Sequence, residues 1–432
     1  MDKHTRKLLG LEDKNIYFEE DWLKEEKKKG VLAYIIEGTL TYRPSCCENC
    51  GELDRSKIVK NGHRTTKTQL PPFRNKLTYL QLKRSRFRCY TCGASFIAST
   101  PIVERNHHIS RELKYQIMME LKRVASRKDI AERYFVSDVT ILRIQRELAK
   151  QRTINYNYLP SILCIDEFKS MKSCEGSMSF ICVDGVRNEL FVLLEDRRLE
   201  QLASYFMKFS LKARKSVKYL VMDMNGSYAQ LIKRVFPCAE IVTDRFHIVQ
   251  HINRSFNQLR INIMNTFRNY QSEDMKKYRR LKRYWKLLLK DVDSLDNTHS
   301  HYHYLFKREL FQQEIIDELL TYDERLRLAY DTIQLLHHYR KKADVENFFH
   351  IINDLSKELP NWFRKKLTFF NRHDQGIYNA LMLPYSNGIT EGINNKIKLI
   401  KRVSYGYRNF RNLRDRIYIS QGLIFQNITQ KR

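Results

Sequence analysis

Apolar and polar positions follow two rhythms along the chain. Residues 1 to about 105 read as strand-rich: "VLAYIIEGTL" (31–40) alternates loosely, and "KLTYLQLKRSRFRCY" (76–90) reads as a strand leading into a cysteine pair. From about 108 to 150 the period lengthens to that of a helix, as in "ISRELKYQIMMELKRV". Tyr158-Leu159-Pro160 reads as a linker. Beyond it, "SILCIDEF", "MSFICVDG" and "ELFVLLED" are short apolar runs separated by turn residues, the pattern of a strand meander. An amphipathic helix, "RLEQLASYFMKF", comes next. The strand "VKYLVMDMN", the helix "GSYAQLIKRVF" and the strand "AEIVTD" complete an α/β segment. From about 246 to 380 the pattern is almost continuously helical, with no internal repeat.

Charge changes the picture more than composition does. The formal net charge is +29 over 432 residues, and the aromatic share is 12%. A globular chain this basic points to a polyanionic partner, with nucleic acid first. There is no apolar stretch of about 18 residues to cross a membrane, and the charged start gives no signal peptide. A cytoplasmic location follows, in which cysteines serve as thiols or metal ligands.

The cysteines carry the clearest local chemistry. "CCENCG" holds Cys47 and Cys50, and "CYTCG" holds Cys89 and Cys92. Two Cys-x-x-Cys units, each followed by Gly, suit a zinc ribbon, in which tight turns aim four thiolates at one structural ion and a β-hairpin fills the gap. Cys47 is preferred over Cys46 because it restores the two-residue spacing. Cys164, Cys174, Cys182 and Cys238 lack such spacing and read as small core residues.

"SRKDIAERYFVSDVTILRIQREL" (126–148) fits a helix-turn-helix. A first helix begins around Asp129-Ile130-Ala131, Phe135-Val136 makes the turn, and Ser137 caps a second helix whose apolar positions are Val139, Leu142 and Ile144. That helix would offer Ser137, Asp138, Thr140 and Arg143 to a major groove. An ordinary helical hairpin is the competing reading.

Three carboxylates stand out. Asp166 and Asp223 end the strands "SILCIDEF" and "VKYLVMDMN", where a buried charge is costly unless paired or metal-bound. The order of three strands, helix, strand and helix is that of the ribonuclease H-like fold, whose first and fourth strands are neighbours, so the two Asp would converge and invite Mg²⁺. Glu391 lies in "YSNGITEGINNKIKLIKRVSYGYRNF" (385–410). At about 100° per residue it shares a helix face with Asn395, Lys398 and Arg402, with Asn394 beside it. Ile389, Ile393, Ile397 and Ile400 form the opposite, core-facing stripe. A favourable place near a helix N-terminus would account for Glu391 alone, but not for the two Asp. Three such acids suit two-metal phosphoryl transfer, with Lys398, Lys401 and Arg402 holding a DNA backbone nearby. Glu167, Asp184 and Asp196 read as non-ligands. Asp244 and His247, in "TDRFHIV", read as a helix cap and its partner one turn on.

These motifs, taken together, resemble the insertion-sequence transposases of the ISL-three type, over nearly the whole chain. The four cysteines match that family's N-terminal module, "IAERYFVSDVTILRI" its helix-turn-helix, and "IDEF", "MDMN", "DRFH" and "SNGITEGINNKIKLIKRVSYGYRNF" its catalytic domain, in order. The resemblance implies that Asp166, Asp223 and Glu391 are a catalytic DDE triad. It implies two catalytic Mg²⁺, replaceable by Mn²⁺, and support of the active site by Asp244 and His247.

The expected organisation is a multidomain α/β protein. It comprises a zinc-ribbon domain (1–105), a helix-turn-helix (106–155), a ribonuclease H-like core (160–250) interrupted by an all-α insertion (251–384), and the rest of the core with the Glu helix and basic tail (385–432). The basic run 267–290, with Tyr278, Tyr284 and Trp285, reads either as a nucleic-acid contact or as core packing, and Trp362 has the same two readings. The expected function is a bacterial, nucleoid-associated DNA transposase acting as a homodimer on terminal inverted repeats and target DNA. A silent or domesticated DNA-binding regulator, and a ribonuclease H-like nuclease without strand transfer, are the competitors.

Overall fold

The computed structural model describes residues 1–28, 30–224, 226–268 and 272–423. The chain forms two compact units. One comprises Met1–Ile154 together with the described chain from Lys396 onward, the other Asn155–Asn395.

The first unit opens with the short helix α1 (Lys3–Leu8) and a sheet of β1 (Ile16–Tyr17), β2 (Leu23–Lys28), β3 (Val31–Leu40), β4 (Ile58–Phe73), β5 (Lys76–Cys89) and β6 (Ser95–Ile97). β4 and β5 are the long hairpin expected between the cysteine pairs. Its two-residue turn, Arg74-Asn75, has φ of 52° and 59°, the left-handed twist that matches paired strands. The hairpin buries Leu70, Leu80, Leu82 and Phe87 in one core with Ile36 and Leu40.

Helices α2 (Arg111–Glu120), α3 (Arg127–Arg133) and α4 (Asp138–Ala149) follow. The first helix of the helix-turn-helix starts two residues earlier than expected, because Ser126 and Asp129 form a reciprocal capping box. Gln69 of β4 ties the sheet to these helices. Its backbone N–H donates to His108 O and its carbonyl accepts from Ser110 N, both at 2.8 Å. Its side-chain amide donates to Tyr134 O at 2.8 Å.

The second unit is built on β7 (Ile162–Lys169), β8 (Met178–Asp184) and β9 (Glu189–Leu194). Helices α5 (Leu199–Phe206) and α6 (Leu211–Lys215) lead to β10 (Tyr219–Met222), α7 (Gly226–Val235) and β11 (Glu240–Thr243). The sheet order is β11-β10-β7-β8-β9. The first three strands form the antiparallel meander read from the sequence. β10 lies parallel to β7 and β11 parallel to β10, so the first and fourth strands are neighbours. Burial explains the unbroken apolar runs: Leu163, Ile165, Phe180 and Cys182 pack against Leu202, Phe206, Leu231 and Phe236 of the covering segments.

After β11 the chain runs through α8 (Arg245–Thr266), α9 (Ser272–Arg283) and α10 (Trp285–Leu288). The helical expectation for 246–380 then fails locally. Strands β12 (His301–His303) and β13 (Arg308–Leu310) form a hairpin, closed by Lys307 at φ 57°, in a stretch whose short segments carry no helical period. Helices α11 (Gln312–Leu320), α12 (Glu324–Lys342), α13 (Val345–Asn353), α14 (Asn361–Thr368) and α15 (Asp374–Met382) follow. Asn379 brings α15 back to the sheet edge by donating to Ile241 O at 2.8 Å.

Helix α16 (Gly388–Val403) carries Glu391, and α17 (Phe410–Ser420) is the last helix of the described residues. The apolar stripe of α16 is as expected: Ile393, Ile397 and Ile400 are buried and Ile389 half-buried. The expectation that 385–432 belongs wholly with the core differs from the observed grouping, since the chain from Lys396 is part of the first unit. The reason lies in α17. Its Asn412 carbonyl accepts from Gln145 of α4 at 2.8 Å. The buried guanidinium of Arg416 donates to Arg123 O and Ala125 O, at 3.0 and 2.7 Å. The "SYGYRNF" segment is the connector: Tyr405 and Gly406 adopt positive φ, Asn409 caps α17 and Phe410 is buried.

Candidate active site and nucleic-acid-binding elements

Two knuckles build the cysteine site. In each, the Gly after the second Cys has positive φ, 74° at Gly51 and 71° at Gly93, a conformation that Gly adopts without a Cβ penalty. That geometry lets Gly51 N donate to Cys47 O and Gly93 N to Cys89 O, at 3.0 and 2.9 Å. Both sulfurs of each pair then point the same way. Cys47 Sγ lies 3.7 Å from Cys92 Sγ, and Cys50 Sγ lies 3.8 Å from Cys89 Sγ. A tetrahedron with Zn–S of about 2.3 Å has edges of about 3.8 Å, so the four-sulfur site fits zinc. All four sulfurs lie within 4.8 Å of one another, and Cys46 is outside the set. The Ala94 backbone N–H and the Asn49 amide lower the Cys92 thiol, whereas hydrogen bonding among the neighbouring thiols raises Cys50, as expected of four sulfurs that share one site. Of the remaining cysteines, Cys164 and Cys182 are buried core residues, whereas Cys238 is exposed and Cys174 half-buried.

The second helix of the helix-turn-helix, α4, buries Ile141, Ile144, Gln145 and Leu148. Its outer face carries exposed Ser137, Asp138 and Arg143, with Thr140 half-buried. Val139 is a correction: it is 61% exposed and lies on this outer face, not in the core. Its i, i+2 distance from Ile141 turns it away from the buried stripe. The Ser137 hydroxyl accepts from Thr140 N at 3.2 Å, as the expected cap. The turn is sharp because Phe135 sits at φ 53°.

The acidic residues gather at one edge of the second unit's sheet. β7 pairs with β10 only as far as Cys164↔Val221. Asp166 and Asp223 each lie two residues further on, so the register carries them to the same level beyond the pairing, on strands about 4.8 Å apart. Asp166 is not at the end of its strand, as the sequence suggested: β7 continues to Lys169 against β8. Only its parallel neighbour has ended, which opens a notch at Asp166. Burial pushes the Asp166 carboxyl above its ordinary value, and the negative charge of Asp223 adds to this. The Glu167 backbone N–H and the nearby His247 act the other way.

Helix α16 closes this notch through residues that sequence reasoning passed over. Asn394 Nδ2 donates to Asp166 Oδ2 at 2.8 Å, and Asn387 Nδ2 donates to Ile165 O at 3.2 Å. Thr390 is fully buried between them. These positions recur at i, i+3 and i+7, a second, polar stripe next to the isoleucines, and that spacing was the signal available in the sequence. Glu391 is exposed and sits one helical turn from Asn394, where Cβ atoms are about 5–6 Å apart. Among the described residues, the four cysteines are the one group of three or more His, Cys, Asp or Glu residues whose ligand atoms lie close enough to share an ion. The side chains of Asp166, Asp223 and Glu391 are therefore not drawn into a single set.

Glu167, set aside as a ligand, is instead held by the Tyr228 hydroxyl at 2.6 Å and by Arg197. Asp184 and Asp196 accept backbone N–H groups in turns. Asp244 caps α8 and lies 3.8 Å from His247 Nε2. Its own N–H donates to Met222 O at 2.7 Å, joining the ends of β10 and β11 beside Asp223. Lys398, Lys401 and Arg402 lie on the half of α16 that belongs to the first unit. In the helical segment Tyr284 packs against His303 and Phe306, which favours the core reading, while Trp285 is 36% exposed. Trp362 is half-buried beneath Lys366.

A family model described as a transposase matches residues 163–417. A second, described as the helix-turn-helix domain of transposase family ISL3, matches residues 98–149. A transposase for insertion sequence element IS1001 from Bordetella parapertussis is 26% identical over 383 residues, covering 85% of this chain and 87% of that protein. A shorter similarity, 36% over 118 residues, is to a Lactococcus lactis protein called an ATP-dependent protease, and covers 27% of this chain and 38% of that one. The matched segments hold the helix-turn-helix and the acidic sheet edge just described, and the chain belongs to the ISL3 family of transposases.

Proposed function

We propose that this chain is a DNA transposase. It binds the terminal inverted repeats of its own insertion sequence through the zinc ribbon and α4, cleaves the element ends, and joins the 3′-hydroxyls to target DNA. The catalytic fold is ribonuclease H-like, and the reactive group is the carboxylate set Asp166, Asp223 and Glu391. One observation carries the reading: Asp166 and Asp223 stand at the same level on parallel neighbours, and the helix bearing Glu391 is hydrogen-bonded to Asp166.

The donor set fits hard divalent cations such as Mg²⁺, which take carboxylate oxygens and keep waters and phosphate oxygens as further ligands. Asp166 and Asp223 would hold a pair of such ions from the sheet and Glu391 would complete the set from α16, and the ions would supply activation of the attacking oxygen and stabilisation of the leaving one. Asp244 and His247 brace the same edge. Lys398, Lys401 and Arg402 bring the DNA backbone to it, and Arg143, Thr140 and Ser137 read the end sequence. Two ends handled together call for a homodimer.

The test is incubation of the full chain with duplexes carrying candidate ends and Mg²⁺. Nicks at the ends followed by joined products support the reading; a shifted but intact duplex supports a silent binder, and nicks without joining a nuclease. Asp166→Asn, Asp223→Asn and Glu391→Gln should each lower cleavage on the order of 10³-fold, because several kcal/mol of charge stabilisation are removed. Parent-like cutting by any of them contradicts the assignment of that residue.

A further inference from the structure

We infer that Asn394 is a positioning residue for the Asp166 carboxylate, and that together with Asn387 it sets Glu391 over the strand that carries Asp166. This rests on the three-carboxylate reading above and adds residues to it.

Asn394 is 6% exposed and Asn387 4%. The Asn394 amide faces Asp166 Oδ2 at 2.8 Å, and only its NH₂ side can do so, because an amide oxygen would repel a carboxylate. The same NH₂ lies 3.4 Å from Glu167 O, so Asn394 spans the backbone and side chain of adjacent residues on β7. Its Oδ1 is buried with no hydrogen-bond partner. A buried amide with half its capacity unmet is costly for packing alone. A leucine would fill the same stripe beside Ile393 and Ile397 without that cost. What the amide supplies and a leucine cannot is a donor to the acid.

Asn387, immediately before α16 and seven residues before Asn394, repeats the arrangement. Its NH₂ donates to Ile165 O at 3.2 Å, while its Oδ1 is buried and unpartnered. Glu391 is four residues after Asn387 and three before Asn394, so it lies between two fastenings to consecutive residues of one strand. The Asp166 carboxylate receives a second fixed bond from Glu167 N, at 2.7 Å. Both of its oxygens are therefore oriented before any cation arrives. Hydrogen-bond donors behind a ligating carboxylate generally change metal affinity or activity on the order of 10- to 100-fold when removed.

The experiment is Mn²⁺ titration of the full chain followed by electron paramagnetic resonance, for the parent, Asn394→Leu, Asn394→Gln and Asp166→Asn. Melting temperature and end-DNA affinity are measured alongside. Asn394→Leu should bind Mn²⁺ on the order of 10-fold more weakly, with melting temperature and end-DNA binding held. Its cleavage should recover at high Mn²⁺, which a general folding defect would not allow. Asn394→Gln, which keeps a donor on a longer arm, should restore part of the affinity. If Asn394→Leu lowers the melting temperature, Asn394→Ala is read in the same way. Parent-like Mn²⁺ affinity in the Asn394 variants, with loss in Asp166→Asn, overturns the positioning role alone. Parent-like affinity in Asp166→Asn overturns the three-carboxylate reading as well.

Discussion

The cysteine site and the acidic edge gather ligands in opposite ways. The four sulfurs come from two knuckles joined by a single hairpin, and each knuckle is specified within about six residues by Cys-x-x-Cys-Gly. The acids come from two strands and a helix, with Glu391 following Asp223 by more than 160 residues in the sequence. In the first site local turns place every donor, and the sulfurs lie at zinc-like separations. In the second the strands bring Asp166 and Asp223 level, but carboxylates repel, and Glu391 stays exposed on its helix. A site fixed by local turns is specified by short-range spacing. One fixed by topology depends on where distant elements meet.

The largest effect that would sharpen this contrast is loss of the knuckle site. Cys47→Ser and Cys89→Ser should remove bound zinc and expose the β4–β5 sheet to proteolysis, since structural zinc contributes roughly 10 kcal/mol or more to small folds. Cys46→Ser should retain one zinc per chain by elemental analysis. Retention of zinc by Cys47→Ser would show that the ion is held by a different ligand set.

A middle-sized effect concerns the joint between α17 and the helix-turn-helix. Arg416→Ala strands the carbonyls of Arg123 and Ala125 and leaves a cavity, which should cost about 3 kcal/mol. Chemical denaturation should show it, with weakened end-DNA binding and unchanged zinc. No change in either would mean that the tail is not part of the DNA-binding unit.

The smallest effect is a pH-dependent gain in stability. The Asp166 carboxyl is raised above its ordinary 3.8, chiefly by burial. For an acid raised on folding, the folded state holds its proton more tightly. Stability is therefore greatest below 3.8 and falls as pH rises through the raised value. Asp166→Asn removes that loss, and the Asn394 amide can turn its unpartnered Oδ1 toward the new NH₂. The variant should melt above the parent at neutral pH in the absence of metal, with the gap closing toward pH 3.8. A variant that melts lower at neutral pH would show that Asp166 is not a strained carboxylate.

Legibility in the sequence tracks the same divide. The cysteine knuckles, the helix-turn-helix and the strand meander were readable because short-range spacing fixes them. The adjacency of β7 and β10 was readable from element order. The Asn387–Thr390–Asn394 stripe was not, because its role depends on the strand lying under it. The exposure of Val139 was hidden by its apolar type, and the 301–310 hairpin by its short strands. The attachment of α17 to α4 escaped because Arg416, a residue that reads as surface, is buried there.

The most direct test of the central claim is diffraction from crystals of the full chain with end DNA and Mn²⁺, using anomalous scattering to locate the metals. The expected result is Mn²⁺ between Asp166 and Asp223, with a Glu391 oxygen drawn to a ligating distance of about 2.1 Å, and a separate zinc peak among Cys47, Cys50, Cys89 and Cys92. Mn²⁺ bound elsewhere, or bound by the two Asp with Glu391 still turned to solvent, would contradict it.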